Sequence, residues 1–151
     1  MLFFLDIDGV MVPAKGWKTP EFLSDGFPAF SIKAVRALQN LIVDNDTVIL
    51  TTSHKSRFSI DQWKNIFKNR GIVIKKIKLL PDNSNHASRK DEIINWLNAN
   101  KPNEEFIIID DDQSLNELPE LLKDHLIQTS SLIGLTEDHT EIIKAISLNR
   151  N

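Results

Sequence analysis

The chain has 151 residues, of which 41% are hydrophobic; 18 Lys and Arg stand against 21 Asp and Glu for a net charge of −3, and there is no cysteine. That length and apolar content suit one domain, 1–151, with a sizeable core, while the charge balance excludes a dedicated, strongly basic nucleic-acid module but leaves room for a local basic groove. No disulfide framework or thiolate zinc site can form, and Leu2–Leu5 is too short, and meets Asp6 too soon, for a signal peptide or membrane span, so a cytoplasmic protein is expected.

Leu2–Val10 reads as a buried strand ending in two carboxylates one residue apart, Asp6 and Asp8, followed at once by Gly9. Side chains alternate along a strand, so both acids face one side, and the glycine lets the backbone turn there. Two unpaired carboxylates repel and are costly to bury; a hard cation such as Mg²⁺ is the simplest compensation. Met11–Phe30, rich in proline and glycine, is expected to be an irregular excursion. Ser31 then caps a helix carrying Ile32, Val35, Leu38, Leu41 and Ile42 at helical spacing. Thr47–Thr52 is a second β-rich run, following the turn-forming Asp44-Asn45-Asp46. Ser59–Asn69 is predicted helical, with Ile60, Trp63, Ile66 and Phe67 on one face and Arg70-Gly71 ending it. Ile72–Leu80 is the third predicted strand, and Pro81–Ala87 a polar loop. Ser88 begins a helix bearing Ile93, Ile94, Trp96 and Leu97; Phe106–Ile109 then runs straight into Asp110-Asp111-Asp112, as a central strand covered on both faces would. Leu118–Leu122, His125–Thr129 and Glu137–Ser147 complete the chain as a short helix, a short strand and a terminal helix.

Strands alternating with crossover helices build a largely parallel α/β sheet and release their following loops at one edge. That edge gathers Asp6 and Asp8, Thr51 and Thr52, Arg89 and Lys90, and Asp110 and Asp111. Acids, a hydroxyl and a cation form a coherent phosphate site: one carboxylate attacks, another exchanges protons, and the positive groups neutralise phosphoryl oxygens. In this order the motifs resemble those of the haloacid dehalogenase (HAD) superfamily phosphohydrolases. Asp6-Ile7-Asp8-Gly9 matches the first motif, Thr52 in Val-Ile-Leu-Thr-Thr-Ser-His the second, Arg89 or Lys90 the third, and Asp110-Asp111 the fourth.

The resemblance implies a Rossmann-like three-layer α/β/α sandwich and a Mg²⁺-dependent phosphatase. It implies Asp6 as the nucleophile that forms an aspartyl-phosphate, Asp8 as general acid/base, Thr52 as the phosphate-binding hydroxyl and Arg89 as the catalytic cation. Asp6, Asp110 and Asp111, with the backbone carbonyl of Asp8, would hold the metal. Thr51 competes with Thr52 by a one-residue shift and Lys90 with Arg89; Thr51, Ser53, Lys90 and Trp17 are the expected substrate contacts. Leu-Asp-Ile-Asp-Gly-Val, Thr-Thr-Ser-His-Lys, Arg-Lys-Asp-Glu-Ile-Ile-Asn-Trp-Leu and Gly134-Leu135-Thr136 are further similar to a small HAD subgroup that includes domains of RNA repair systems and resembles polynucleotide phosphatases. That subgroup often has Trp-Arg where this chain has His54-Lys55.

Neither gap between motifs has room for a large cap, so residues 10–30 are expected to form a short flap, with Trp17, Phe22, Phe27 and Phe30 lining it. An open site favours a large phosphorylated substrate such as a nucleic-acid end. Some features carry a plainer reading as well: lone loop histidines such as His54 and His86 are ordinarily surface residues, and Arg70 with Lys75, Lys76 and Lys78 is either a solvated strand face or a basic edge. Two other functional classes compete: a receiver-like phosphorylation switch, which would hold a stable phospho-aspartate, and a catalytically silent HAD-fold binding protein, which would not need Mg²⁺.

Overall fold

Two apolar rows of opposite parity organise the sheet. Phe3 and Leu5 fall in one buried cluster with Val48, Leu50, Ile107 and Ile109, whereas Leu2 and Phe4 fall in a second with Ile49 and Ile108. A strand buried on both faces requires this pattern, and each fully buried side chain of this size contributes about 1.5–3 kcal/mol. The computed structural model describes residues 1–14, 20–81 and 87–149. The strands are β1 (Leu2–Leu5), β2 (Thr47–Leu50), β3 (Lys76–Leu79), β4 (Phe106–Asp110) and β5 (Leu126–Gln128); the helices are α1 (Ile32–Leu41), α2 (Ile60–Asn69), α3 (Arg89–Asn100), α4 (Glu120–Lys123) and α5 (Glu137–Asn149). The strands lie in the order β3-β2-β1-β4-β5, and every pairing among them is parallel. Residues of α1, α2 and α5 cover the Phe3 face, and Ile93 of α3 with Leu115 and Leu118 covers the Phe4 face. The result is the α/β/α sandwich expected from the sequence.

Helix starts follow their caps. Ser31, Ser59 and Ser88 each accept a hydrogen bond from a backbone N–H of the first helical turn, and Gln62 reciprocates at Ser59 to complete a capping box. The third strand is shorter than predicted. Ile72 and Ile74 are buried in the core, but the ladder with β2 starts only at Lys76 because β2 itself starts at Thr47. Among the described residues, no helix is long and apolar enough to cross a membrane.

Part of the excursion after β1, expected to be irregular, is a regular hairpin. Glu21 to Ala29 forms a small hairpin, with Ala29 N–H donating to the Glu21 carbonyl and Leu23 N–H to that of Phe27. Phe27 and Phe30 do not line a flap: both are buried in the core, where Phe27 packs edge-on against Trp63 and Phe30 against Phe67. Phe22 is exposed, and Trp17 lies outside the described residues, as does His86. Arg70 is also relocated. It is a buried rivet and no part of a basic edge, donating to both oxygens of Asp25 and to the carbonyls of Phe27, Pro28 and Ile66.

Candidate active site

Register places the chemistry. Leu5 pairs with both Leu50 and Ile109, so the next residues, Asp6, Thr51 and Asp110, stand level at the carboxyl ends of three neighbouring strands. They share the parity of Phe4, Ile49 and Ile108, whose side chains pack on the α3 side of the sheet. Arg89, the first residue of α3, closes the row from that side: its Nη1 lies 2.5 Å from Asp110 Oδ2, 3.1 Å from Thr51 Oγ1 and 3.5 Å from Asp6 Oδ1. The chain reverses its winding at β1 and β4, and the crevice outside the strand ends at such a switch point is where open α/β sheets bind ligands.

Asp6, Asp110 and Asp111 each bring a carboxylate oxygen within 4.8 Å of the others. Burial first, and Asp110 second, push the Asp6 carboxyl far above the usual carboxylate range, with Arg89 offsetting only part of the rise. Burial raises Asp110 too, against the pull of Arg89 and the Asp112 N–H. For Arg89 burial acts downward, yet Asp110 and Asp6 hold its pKa above the ordinary value. When all three clustered acids are ionised, one guanidinium does not balance them. An all-oxygen donor set of this charge fits a hard divalent cation, Mg²⁺ among them. Gly9 tightens the same cluster: it has φ +80°, and a Cβ there would overlap the Asp111 carboxylate. Only glycine lets the turn after β1 pass so close to an acid.

The charge state of the cluster gives a stability signature. In metal-free protein Asp6, pushed up to about 9, keeps a proton that the unfolded chain has already released, so its contribution is full at low pH and is lost progressively as pH rises from the ordinary carboxylate range towards that raised value. Melting temperatures in EDTA and in excess Mg²⁺ are therefore expected to diverge as pH rises, with a larger Mg²⁺ gain near pH ~8 than near pH ~5.5. Identical melts at both pH values would exclude a cation at these acids.

The other expected site residues divide. Asp8 lies beyond the strand end and is exposed; its Oδ2 is 2.9 Å from Nε2 of His54. Thr51, not Thr52, is the hydroxyl brought to Asp110 and Arg89; Thr52 is fully buried and its Oγ1 accepts from the His54 N–H. Lys90 turns away from the acids and pairs with Glu117 at 3.6 Å, so Arg89 is the cation of this pair that enters the cluster. Ser53 is exposed on the loop after β2. Two participants went unread in the sequence: Lys55 is buried and sits 3.0 Å from Glu92 Oε2, while Glu92 Oε1 lies 3.7 Å from Arg89 Nε. Arg89 and Glu92 are three apart on α3, a spacing at which side chains meet, and that was the available signal.

A family model described as the HAD domain in Swiss Army Knife RNA repair proteins matches residues 2–140. Neither a curated protein nor a solved structure matches the chain.

Proposed function

Because the chain belongs to the family of HAD domains in Swiss Army Knife RNA repair proteins, we propose that it is a Mg²⁺-dependent phosphomonoester hydrolase acting on phosphorylated nucleic-acid ends. The observation that carries this reading is the level row of Asp6, Thr51 and Asp110, closed by Arg89 at the switch point of the sheet. In the first step an Asp6 carboxylate oxygen bonds to phosphorus as the bond from phosphorus to the leaving oxygen breaks, and Asp8 gives that oxygen its proton. In the second, water loses a proton to Asp8 and attacks the aspartyl-phosphate, releasing inorganic phosphate and restoring Asp6. Arg89 draws negative charge off the phosphoryl oxygens, and the Thr51 hydroxyl donates to one of them. Mg²⁺, which Asp6, Asp110 and Asp111 would hold, supplies the positive charge that keeps Asp6 ionised and balances the phosphoryl group.

The substrate class draws on the family's repair setting and on openness. With its side chain 60% exposed, Asp8 sits at a rim that a bulky strand end can reach. The purified protein is expected to hydrolyse 4-nitrophenyl phosphate with Mg²⁺ and not with EDTA. It should also remove a 3′ or 5′ phosphate from an oligonucleotide faster than from the matching mononucleotide. Equal rates on the two would turn the reading towards small phosphomonoesters. The receiver-like alternative is not separated by strand position, since β1 is the middle strand of the sheet; it requires a long-lived phospho-protein after treatment with acetyl phosphate, where a phosphatase turns over.

A further inference from the structure

We infer that His54, locked by Arg57, is a positioning residue for Asp8, a role that rests on the phosphohydrolase reading above. Asp8 is the most exposed of the site's acids, and a carboxylate on a turn rotates freely unless something holds it. His54 Nε2 lies 2.9 Å from Asp8 Oδ2, and the other ring nitrogen, Nδ1, lies 3.1 Å from Nη1 of Arg57. A guanidinium only donates, so Nδ1 accepts; the ring proton is therefore on Nε2, which donates to Asp8. The partners of the ring set its tautomer, as in other sites where a histidine orients a neighbour.

The ring is itself fixed. It packs edge-on against Phe27 at 5.7 Å, the His54 N–H donates to Thr52 Oγ1, and the His54 carbonyl accepts from Arg57 N–H in the 3-10 turn Lys55–Arg57. Arg57 in turn lies over the Phe58 ring at 5.5 Å. With Oδ2 engaged, Oδ1 of Asp8 is the oxygen that passes a proton to the leaving group and takes one back from water. His54 orients the carboxylate and is not the proton donor to the leaving group.

The test separates positioning from folding by leaving group. His54→Phe keeps a ring against Phe27 but has no donor, whereas His54→Gln restores an N–H. Protonation matters for expelling phenolate and little for 4-nitrophenolate. His54→Phe is therefore expected to lower kcat/KM about tenfold on phenyl phosphate and at most about twofold on 4-nitrophenyl phosphate, with His54→Gln recovering most of the loss. Equal losses on both substrates, no loss, or a gain would overturn the role. Independently of turnover, ¹⁵N NMR of the wild-type ring should show the proton on Nε2 and a mixed tautomer in Arg57→Ala. A ring protonated on Nδ1 alone overturns the inference. Absence of any Mg²⁺-dependent hydrolysis by the wild type would instead sink the phosphatase reading, and the ring spectrum would still report whether His54 holds Asp8.

Discussion

Asp6→Asn is expected to abolish hydrolysis of an aryl phosphate, by about 10³-fold or more, and at the same time to make the metal-free protein more stable. The two effects have one origin. Asp6 is a buried carboxyl whose ionisation is opposed by burial and by Asp110, so the proposed nucleophile would sit where charge is unwelcome until a cation is bound. Asn keeps the shape and an oxygen facing Arg89 but removes the acid, and a gain of about 1 kcal/mol would raise the melting temperature by about 2–4 °C. The Mg²⁺-induced rise should shrink in the variant because one ligand has lost its charge. Turnover at the wild-type rate would exclude Asp6 as nucleophile, and a fall in metal-free stability would show that its carboxylate supports the fold.

The largest stability effect is expected at Arg70. Its side chain is only 2% exposed, yet all its donor nitrogens are used: Nη1 and Nη2 take the two oxygens of Asp25 at 2.6 and 3.0 Å, and the carbonyls of Phe27, Pro28 and Ile66 take the rest. The guanidinium also lies 4.9 Å from the Phe30 ring centroid. Arg70→Met fills much of the volume but removes the guanidinium's hydrogen bonds to Asp25 and to the carbonyls of Phe27, Pro28 and Ile66, which should cost about 3 kcal/mol and lower the melting temperature by about 6–12 °C. Arg70→Lys should not rescue it, because an ammonium cannot make the forked pair with Asp25. Hydrogen bonds from Arg70 hold the Asp25 carboxyl down at about 2. This contribution is therefore present above the ordinary value of about 4 and is lost as pH falls towards 2, and the variant should show a flatter acid limb in thermal melts. A melting temperature unchanged at neutral pH would mean that the hairpin is held by Phe27 and Phe30 alone.

Local chemistry was legible in the chain where it depended on neighbours in sequence. Ser31, Ser59 and Ser88 announced three helices because an N-cap is a one-turn event. The apolar run into Asp110 announced a central strand ending at a site. Thr51 and Thr52 could not be separated that way, since the choice depends on which residue continues the pairing of Leu50 with Leu5. Arg70 was misread with the nearby lysines because its partners, Asp25 to Pro28, are distant in sequence and only the packed fold brings them together. The same holds for Phe27 and Phe30, whose aromatic partners Trp63 and Phe67 lie on α2. His54 was read as an ordinary loop histidine, and its link to Asp8 spans the interval between two strand ends.

The parallel pairing of residues 2–5 with residues 106–109 has a kinetic consequence. The acid cluster spans that seam, with Asp6 on one side and Asp110 and Asp111 on the other, so an incomplete chain or a partly folded one has no cation site to fill. Closing so distant a contact is among the slower events of folding, and a cation could meet all three acids only once the seam has closed. A Mg²⁺ ion held by these acids would therefore act as a latch on the finished molecule, slowing unfolding and leaving the rate of folding as it was.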